Sequence, residues 1–265
     1  MIILLILESI LLSTLIYYYL HYKTRISLKY LGQDNIVVII LSFLLSWWIL
    51  TLLPPTYLAV AFMINFVLVG GLAFAITMIR FWRTPSRKSK AAEEDIISPA
   101  DGNVIYVEKV EAGEVPVSVK GNTYSQLDEL TKTQILEGPC WLVGINMTPF
   151  DVHKNCAPIP GRVILNQHFD GKFLSLKLGE ALKENERNTM VFDHQGTRVG
   201  IVQIASKLVR RIDTYVKEGD LLQRGDWVGM IRFGSQVDVI IPRSYNIKVN
   251  VKDQIYAGET IIAQP

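Results

Sequence analysis

Close to the C-terminal end, Ser235 follows Gly234 in the run Arg232-Phe-Gly-Ser235. A serine hydroxyl is a weak nucleophile alone; it needs a base, and the base needs an orienting partner. Residues of those types stand upstream. Asp101 lies in Ser98-Pro-Ala-Asp-Gly102, and His153 lies in Met147-Thr-Pro-Phe-Asp-Val-His-Lys-Asn-Cys-Ala-Pro158. Asn185-Glu-Arg-Asn188 is a further polar cluster. Each has an ordinary reading as well. Gly-Ser and Asp-Gly pairs are common turns, a histidine is often a satisfied, half-buried side chain, and Asn185–Asn188 could be a helix exit. The four histidines, His21, His153, His168 and His194, show no paired ligand spacing, so no metal is expected and a metallopeptidase is a weak rival. Cys140 and Cys156 form no CxxC, and a reducing compartment is the simpler setting.

The elements that must position these residues are short. Beyond Lys90 come β-rich runs broken by Gly, Pro, Asn and Asp: Val104–Val107, Trp141–Met147, Thr197–Ile204, Trp227–Arg232, Val237–Ile241 and Ile247–Val251. Such spacing predicts a mainly-β domain, a sandwich or barrel. One helix is expected at Ser175–Lys183, where leucines alternate with charged residues. The stretch Val216–Ile231 resembles the hairpin repeats of lipoyl and biotinyl carrier domains, which points to a barrel-sandwich architecture with one or two short helices. A carrier needs an acceptor lysine at a hairpin tip. Ile231 is followed by Arg-Phe-Gly-Ser instead, so a swinging-arm carrier is disfavoured.

In front of this domain stands an anchor. No charged residue occurs from Asn35 to Ile79, and Asn35–Leu53 and Thr56–Ile79 are each long enough to cross a bilayer, with Pro54 and Pro55 as the turn between them. Met1–Leu20 is a third apolar run; it lacks the basic start and cleavage site of a signal peptide. Lys23, Arg25 and Lys29 flank one side of the spans, and Arg80, Arg83, Arg87, Lys88 and Lys90 follow the last. Three crossings put both basic flanks on the same, cytoplasmic, side. The division expected is therefore 1–90, an anchor of about three transmembrane helices with its basic flank against anionic headgroups, and 91–265, a cytoplasmic domain. The formal net charge of +2 is too small to indicate nucleic acid, and 49% apolar residues allow a buried core.

Five segments in order resemble the phosphatidylserine decarboxylase proenzyme family. Phe81-Trp-Arg-Thr-Pro-Ser-Arg87 looks like its arginine-proline segment after the anchor, Ser98–Gly102 its acidic motif, Met147–Pro158 its histidine motif, Asn185–Asn188 a further signature, and Arg232–Ser235 its self-cleavage site. The resemblance runs from about Arg80 to the end. It implies a membrane enzyme that converts phosphatidylserine to phosphatidylethanolamine with a covalent pyruvoyl group. The chain would make that group by cutting itself between Gly234 and Ser235, leaving a large and a small chain. Asp101 would orient, His153 would act as base, and Ser235 would attack the Gly234 carbonyl. There is one departure: many members carry a second histidine where this chain has Cys156. His168 is then the reserve candidate for a second base.

Two other readings remain at this point. An archaetidylserine decarboxylase would use the same headgroup chemistry on other lipid tails. A non-catalytic, membrane-tethered lipoyl-like adaptor would remain one intact chain.

Overall fold

A computed structural model of the chain describes residues 2–24, 28–52, 58–111, 114–116, 124–126, 136, 139–172, 185–206, 211–232 and 235–265. It divides into two compact units, Met1–Trp82 and Arg83–Pro265. The Pro54–Pro55 turn, the helix expected at Ser175–Lys183 and Gly234 lie outside the described residues.

The first unit is three helices, α1 (Ile2–Thr24), α2 (Leu28–Thr51) and α3 (Leu58–Trp82). Each contains a stretch long and apolar enough to cross a membrane. In lipid, apolar helices gain nothing from hiding apolar surface against one another, so polar contacts and close packing must join them. Asn65 on α3, fully buried, supplies such contacts. Its Oδ1 accepts from Ser9 (3.1 Å) on α1 and Ser46 (2.7 Å) on α2, and its Nδ2 donates to Glu8 (2.9 Å). Helix α2 begins at Leu28, several residues before the uncharged run that marks it in the sequence. Asp34 is thereby inside a helix, and Arg80 of α3 neutralises it as a two-pronged ion pair.

The second unit is mainly β. Its strands are β1 (Ile96–Ile97), β2 (Gly102–Val110), β3 (Glu114–Pro116), β4 (Tyr124–Gln126), β5 (Cys140–Met147), β6 (Lys154–Cys156), β7 (Gly161–Phe169) and β8 (Arg187–His194), then β9 (Thr197–Ala205), β10 (Ile212–Thr214), β11 (Leu221–Leu222), β12 (Trp227–Ile231), β13 (Ser235–Pro242), β14 (Asn246–Ile247), β15 (Gln254–Ile255) and β16 (Ile261–Gln264). Eight form one antiparallel sheet in the order β11-β7-β8-β9-β13-β5-β2-β15; β10-β12-β6 and β1-β16-β14 form two small sheets, and β3-β4 a hairpin. Among the described residues the large sheet is open: its two outermost strands pair over two residues each. The expected barrel-sandwich therefore does not appear as a closed barrel. Nor is Val216–Ile231 one hairpin. Its β11 joins the large sheet and its β12 a small one, with turns at Gly219 and Gly225, whose φ of +92° and +88° favour glycine.

Successive strand residues face opposite ways, and both faces of the large sheet are buried. Val143, Ile145, Met190, Ile201, Val237 and Val239 pack on one face with Val228 and Ile231 of β12. Leu142, Val191, Val202 and Ile240 pack on the other, and Gln236 and Asp238 share this second face with Ile240. Tyr106 reaches Asp238 from β2 by laying its ring across β5 at Gly144, where any side chain would collide with it. Its hydroxyl donates to Asp238 Oδ1 (2.6 Å), and Gln236 Nε2 donates to the same oxygen (2.7 Å). Burial pushes the Asp238 carboxyl up to about 6.

Candidate active site

Strand β13 is paired on both sides from its first residue. Ser235 stands opposite Met147 of β5 and Ala205 of β9. Leaving Met147, the chain makes a tight turn that the sequence encodes locally. Thr148 donates its backbone N–H and its hydroxyl to Asp151 Oδ2, both at 2.7 Å, and Asp151 N–H returns to Thr148 O (2.9 Å). The turn delivers His153 just ahead of β6. Ile231, the last residue of β12, donates its N–H to His153 O (3.1 Å). The loop holding His153 is thus tied at one end to the register partner of Ser235 and at the other to the strand leading toward it.

His153 is fully buried. Its Nδ1 lies 3.0 Å from the carbonyl oxygen of Asp151. A carbonyl only accepts, so Nδ1 carries the proton in the neutral ring and Nε2 is the basic nitrogen. Burial pushes the imidazole down to about 4; the Asp151 carbonyl and Asp101 oppose this, and Arg83 adds to it. At neutral pH the ring is uncharged, the state a general base requires.

Asp101 is also fully buried, and its carboxylate is a junction. Oδ2 accepts from Val152 N–H (3.2 Å) and Arg87 Nη2 (2.8 Å). Oδ1 accepts from Ala257 N–H (2.8 Å) and from Arg87 Nη1. Arg83 lies 3.8 Å away and donates to Phe150 O at 2.7 Å. Asp101 was expected to orient His153, whose Nδ1 faces the Asp151 carbonyl. Asp101 acts one residue away, on the backbone of Val152, and through its field.

Cys156 stands where a second histidine was expected. Burial, with Asp101 adding to it, pushes its thiol up to about 12, and Sγ points at Ser98 O (3.5 Å). His168 lies on β7, three strands from β13 in the sheet order, half exposed and 3.5 Å from Glu186. It is not brought to Ser235.

Asn185–Asn188 leads into the large sheet. Arg187 and Asn188 begin β8, and Asn185 Nδ2 donates to Ala205 O (2.9 Å), on the residue that faces Ser235. Asn188 Nδ2 donates to Asn166 (3.0 Å) and Gln203 (3.3 Å), and Gln203 donates to Asn155 (2.8 Å). Asn155 in turn reaches Pro99 O at 3.5 Å. A buried polar chain therefore links three of the sequence motifs. Sequence reasoning missed Gln203, Arg83 and Arg87 as members of the site. The two arginines were assigned to the membrane surface, though a buried Asp101 demands a cation.

Comparison with known proteins gives the family of the chain. The family profile described as phosphatidylserine decarboxylase matches residues 74–263. A Methanocaldococcus jannaschii protein provisionally named archaetidylserine decarboxylase proenzyme is 40% identical over 199 residues, covering 75% of this chain and 95% of that protein. A Geotalea uraniireducens protein named phosphatidylserine decarboxylase proenzyme is 37% identical over 193 residues, 72% and 80% of the two chains. A Syntrophus aciditrophicus protein of the same name is 33% identical over 221 residues, 83% and 92%.

Proposed function

The chain belongs to the phosphatidylserine decarboxylase family, and we propose that it decarboxylates phosphatidylserine with a pyruvoyl group made from its own Ser235. One observation carries this reading: β12 ties His153 in place while β5 and β9 hold Ser235 in register.

In this reading Ser235 Oγ attacks the Gly234 carbonyl carbon and passes its proton to His153 Nε2. An ester replaces the Gly234–Ser235 peptide bond. Loss of the Ser235 Cα proton then expels the Gly234 carboxylate and leaves dehydroalanine, whose hydrolysis yields the pyruvoyl end and ammonia. A neutral, buried imidazole with Nδ1 fixed as donor supports the first proton transfer. Water is kept from His153 by complete burial.

The residues present fit such a group. A chain that starts at Ser235 would remain in the sheet, because β13 pairs over eight residues with β5 and over six with β9. The small chain would also be held by β15 on β2 and β16 on β1. When formed, the pyruvoyl group supplies an electron sink for the carbanion left by loss of CO2.

The three apolar helices support a multi-pass place in the cell membrane. The basic flanks support a cytoplasmic catalytic unit facing phosphatidylserine at the surface of the bilayer. Archaetidylserine is the second reading for the substrate, because relatives of similar identity carry either name; it shares the headgroup and differs in the tails. Ser235→Ala tests the proposal. It should stay one full-length chain without decarboxylase activity, where the natural chain splits in two on a denaturing gel. An active Ser235→Ala protein would overturn it.

A further inference from the structure

The segment Arg83–Arg87 follows α3 directly, where basic residues are ordinarily read as a membrane flank. Here its two arginines point into the β unit. Arg87 is nine-tenths buried, grips both oxygens of Asp101, donates to Ala257 O (2.8 Å) and lies 5.8 Å from the centre of the Tyr256 ring. Glu259 approaches its Nε at 3.8 Å. Arg83 holds Phe150 O. Asp101 and Arg87 together bind Val152 on one side and both backbone groups of Ala257 on the other. One ion pair therefore joins the post-helix segment, the loop carrying His153, and the stretch that becomes the small chain.

We propose that Arg87 is a positioning residue for self-cleavage: by clamping the Asp101 carboxylate it fixes the Val152–His153 backbone and limits the negative field at the imidazole. The inference rests on the assignment of His153 as base. Surface binding alone does not require this geometry. A headgroup contact needs an exposed cation, whereas a planar guanidinium aligned on both carboxylate oxygens is a specific fork.

Among the described residues, the charged groups that act on His153 are Asp101 and Arg83, beside the Asp151 backbone carbonyl, with Arg87 and Cys156 coupled to Asp101. Removing the Arg87 cation leaves the Asp101 charge less compensated. That favours the imidazolium, so the base is lost at higher pH. A residue that merely braces the fold would slow cleavage without moving that pH.

The test uses the full chain, synthesised cell-free with liposomes, with cleavage followed on denaturing gels from about pH 3 to about pH 8. Arg87→Ala should slow cleavage at least tenfold and move the acid limb of the rate profile up by about one pH unit. Arg87→Lys keeps a charge but loses the fork, and should fall between the two. The double variant Arg87→Ala/Asp101→Asn should return the limb to the natural position or below it. Should Arg87→Ala fail to fold, the Arg87→Lys and double-variant limbs decide. Limbs that coincide in all folded variants, or undiminished cleavage in Arg87→Ala, would overturn the proposal. A natural chain that never splits would instead overturn the assignment on which it rests.

Discussion

The carboxylate of Asp101 accepts the backbone N–H of Val152 at 3.2 Å, and thereby fixes the residue beside His153. Where an aspartate holds a catalytic imidazole directly, its amide replacement costs about 10⁴ in rate. Asp101→Asn removes charge-assisted bonds worth about 1.5–3 kcal/mol, so self-cleavage should slow by about 10–100-fold. Single-turnover cleavage rates distinguish the two. A loss near 10⁴ would mean that Asp101 grips the ring directly in the reacting state.

The pH dependence follows from the burial of His153. Its imidazole titrates at about 4 in the folded chain, against 6.5 ordinarily. Self-cleavage should therefore stay level from about pH 8 to about pH 5 and fall only toward about pH 4. For stability the sign is as follows. Between about pH 4 and about pH 6.5 the unfolded chain binds the extra proton, so the His153 contribution is complete above that window and is lost as pH falls through it. Asp238, raised to about 6, works in the opposite direction. The cleavage rate, not the melting temperature, is thus the informative readout; a midpoint near 6.5 would contradict the buried-base assignment.

Cys156 should prove dispensable for the chemistry. A thiol pushed up to about 12 is protonated at every working pH. Cys156→Ser keeps a donor for Ser98 O at some cost in stability, about 1–3 kcal/mol for a polar group in that buried place. Its self-cleavage rate should stay close to that of the natural chain. A loss of several hundred-fold in a folded protein would give Cys156 a part in catalysis.

Truncation should locate the true start of the catalytic unit. A chain beginning at Arg83 keeps both arginines that face Asp101. One beginning at Ala91 leaves that buried carboxylate without them, a loss of about 3–5 kcal/mol when one partner of a buried pair is removed. The longer chain should fold and split; the shorter should mature poorly. Equal maturation of both would return the segment to the role of a tether.

The strands legible in the sequence were those with apolar alternation between breakers, such as Trp141–Met147, Thr197–Ile204 and Val237–Ile241. Strand β8 was not legible, because it opens with Arg187, Asn188 and Thr189, which look like a loop until Asn166 and Gln203 supply partners from neighbouring strands. Motif order singled out Asp101, His153 and Ser235 as candidates. It could not show that the His153 Nδ1 partner lies two residues away in its own turn, nor that Arg83 and Arg87 turn inward. Charge beside an apolar span reads as membrane flank; only the burial of Asp101 shows the other demand.

The mass of the small fragment tests the central claim most directly. The purified natural protein should contain a large chain, Met1–Gly234, and a small chain, Ser235–Pro265. The small chain should be lighter than its serine-headed form by one ammonia, about 17 Da, as conversion of an N-terminal serine to pyruvoyl requires. An active protein found only as the intact 265-residue chain, or a small fragment still carrying serine at its head, would contradict the account.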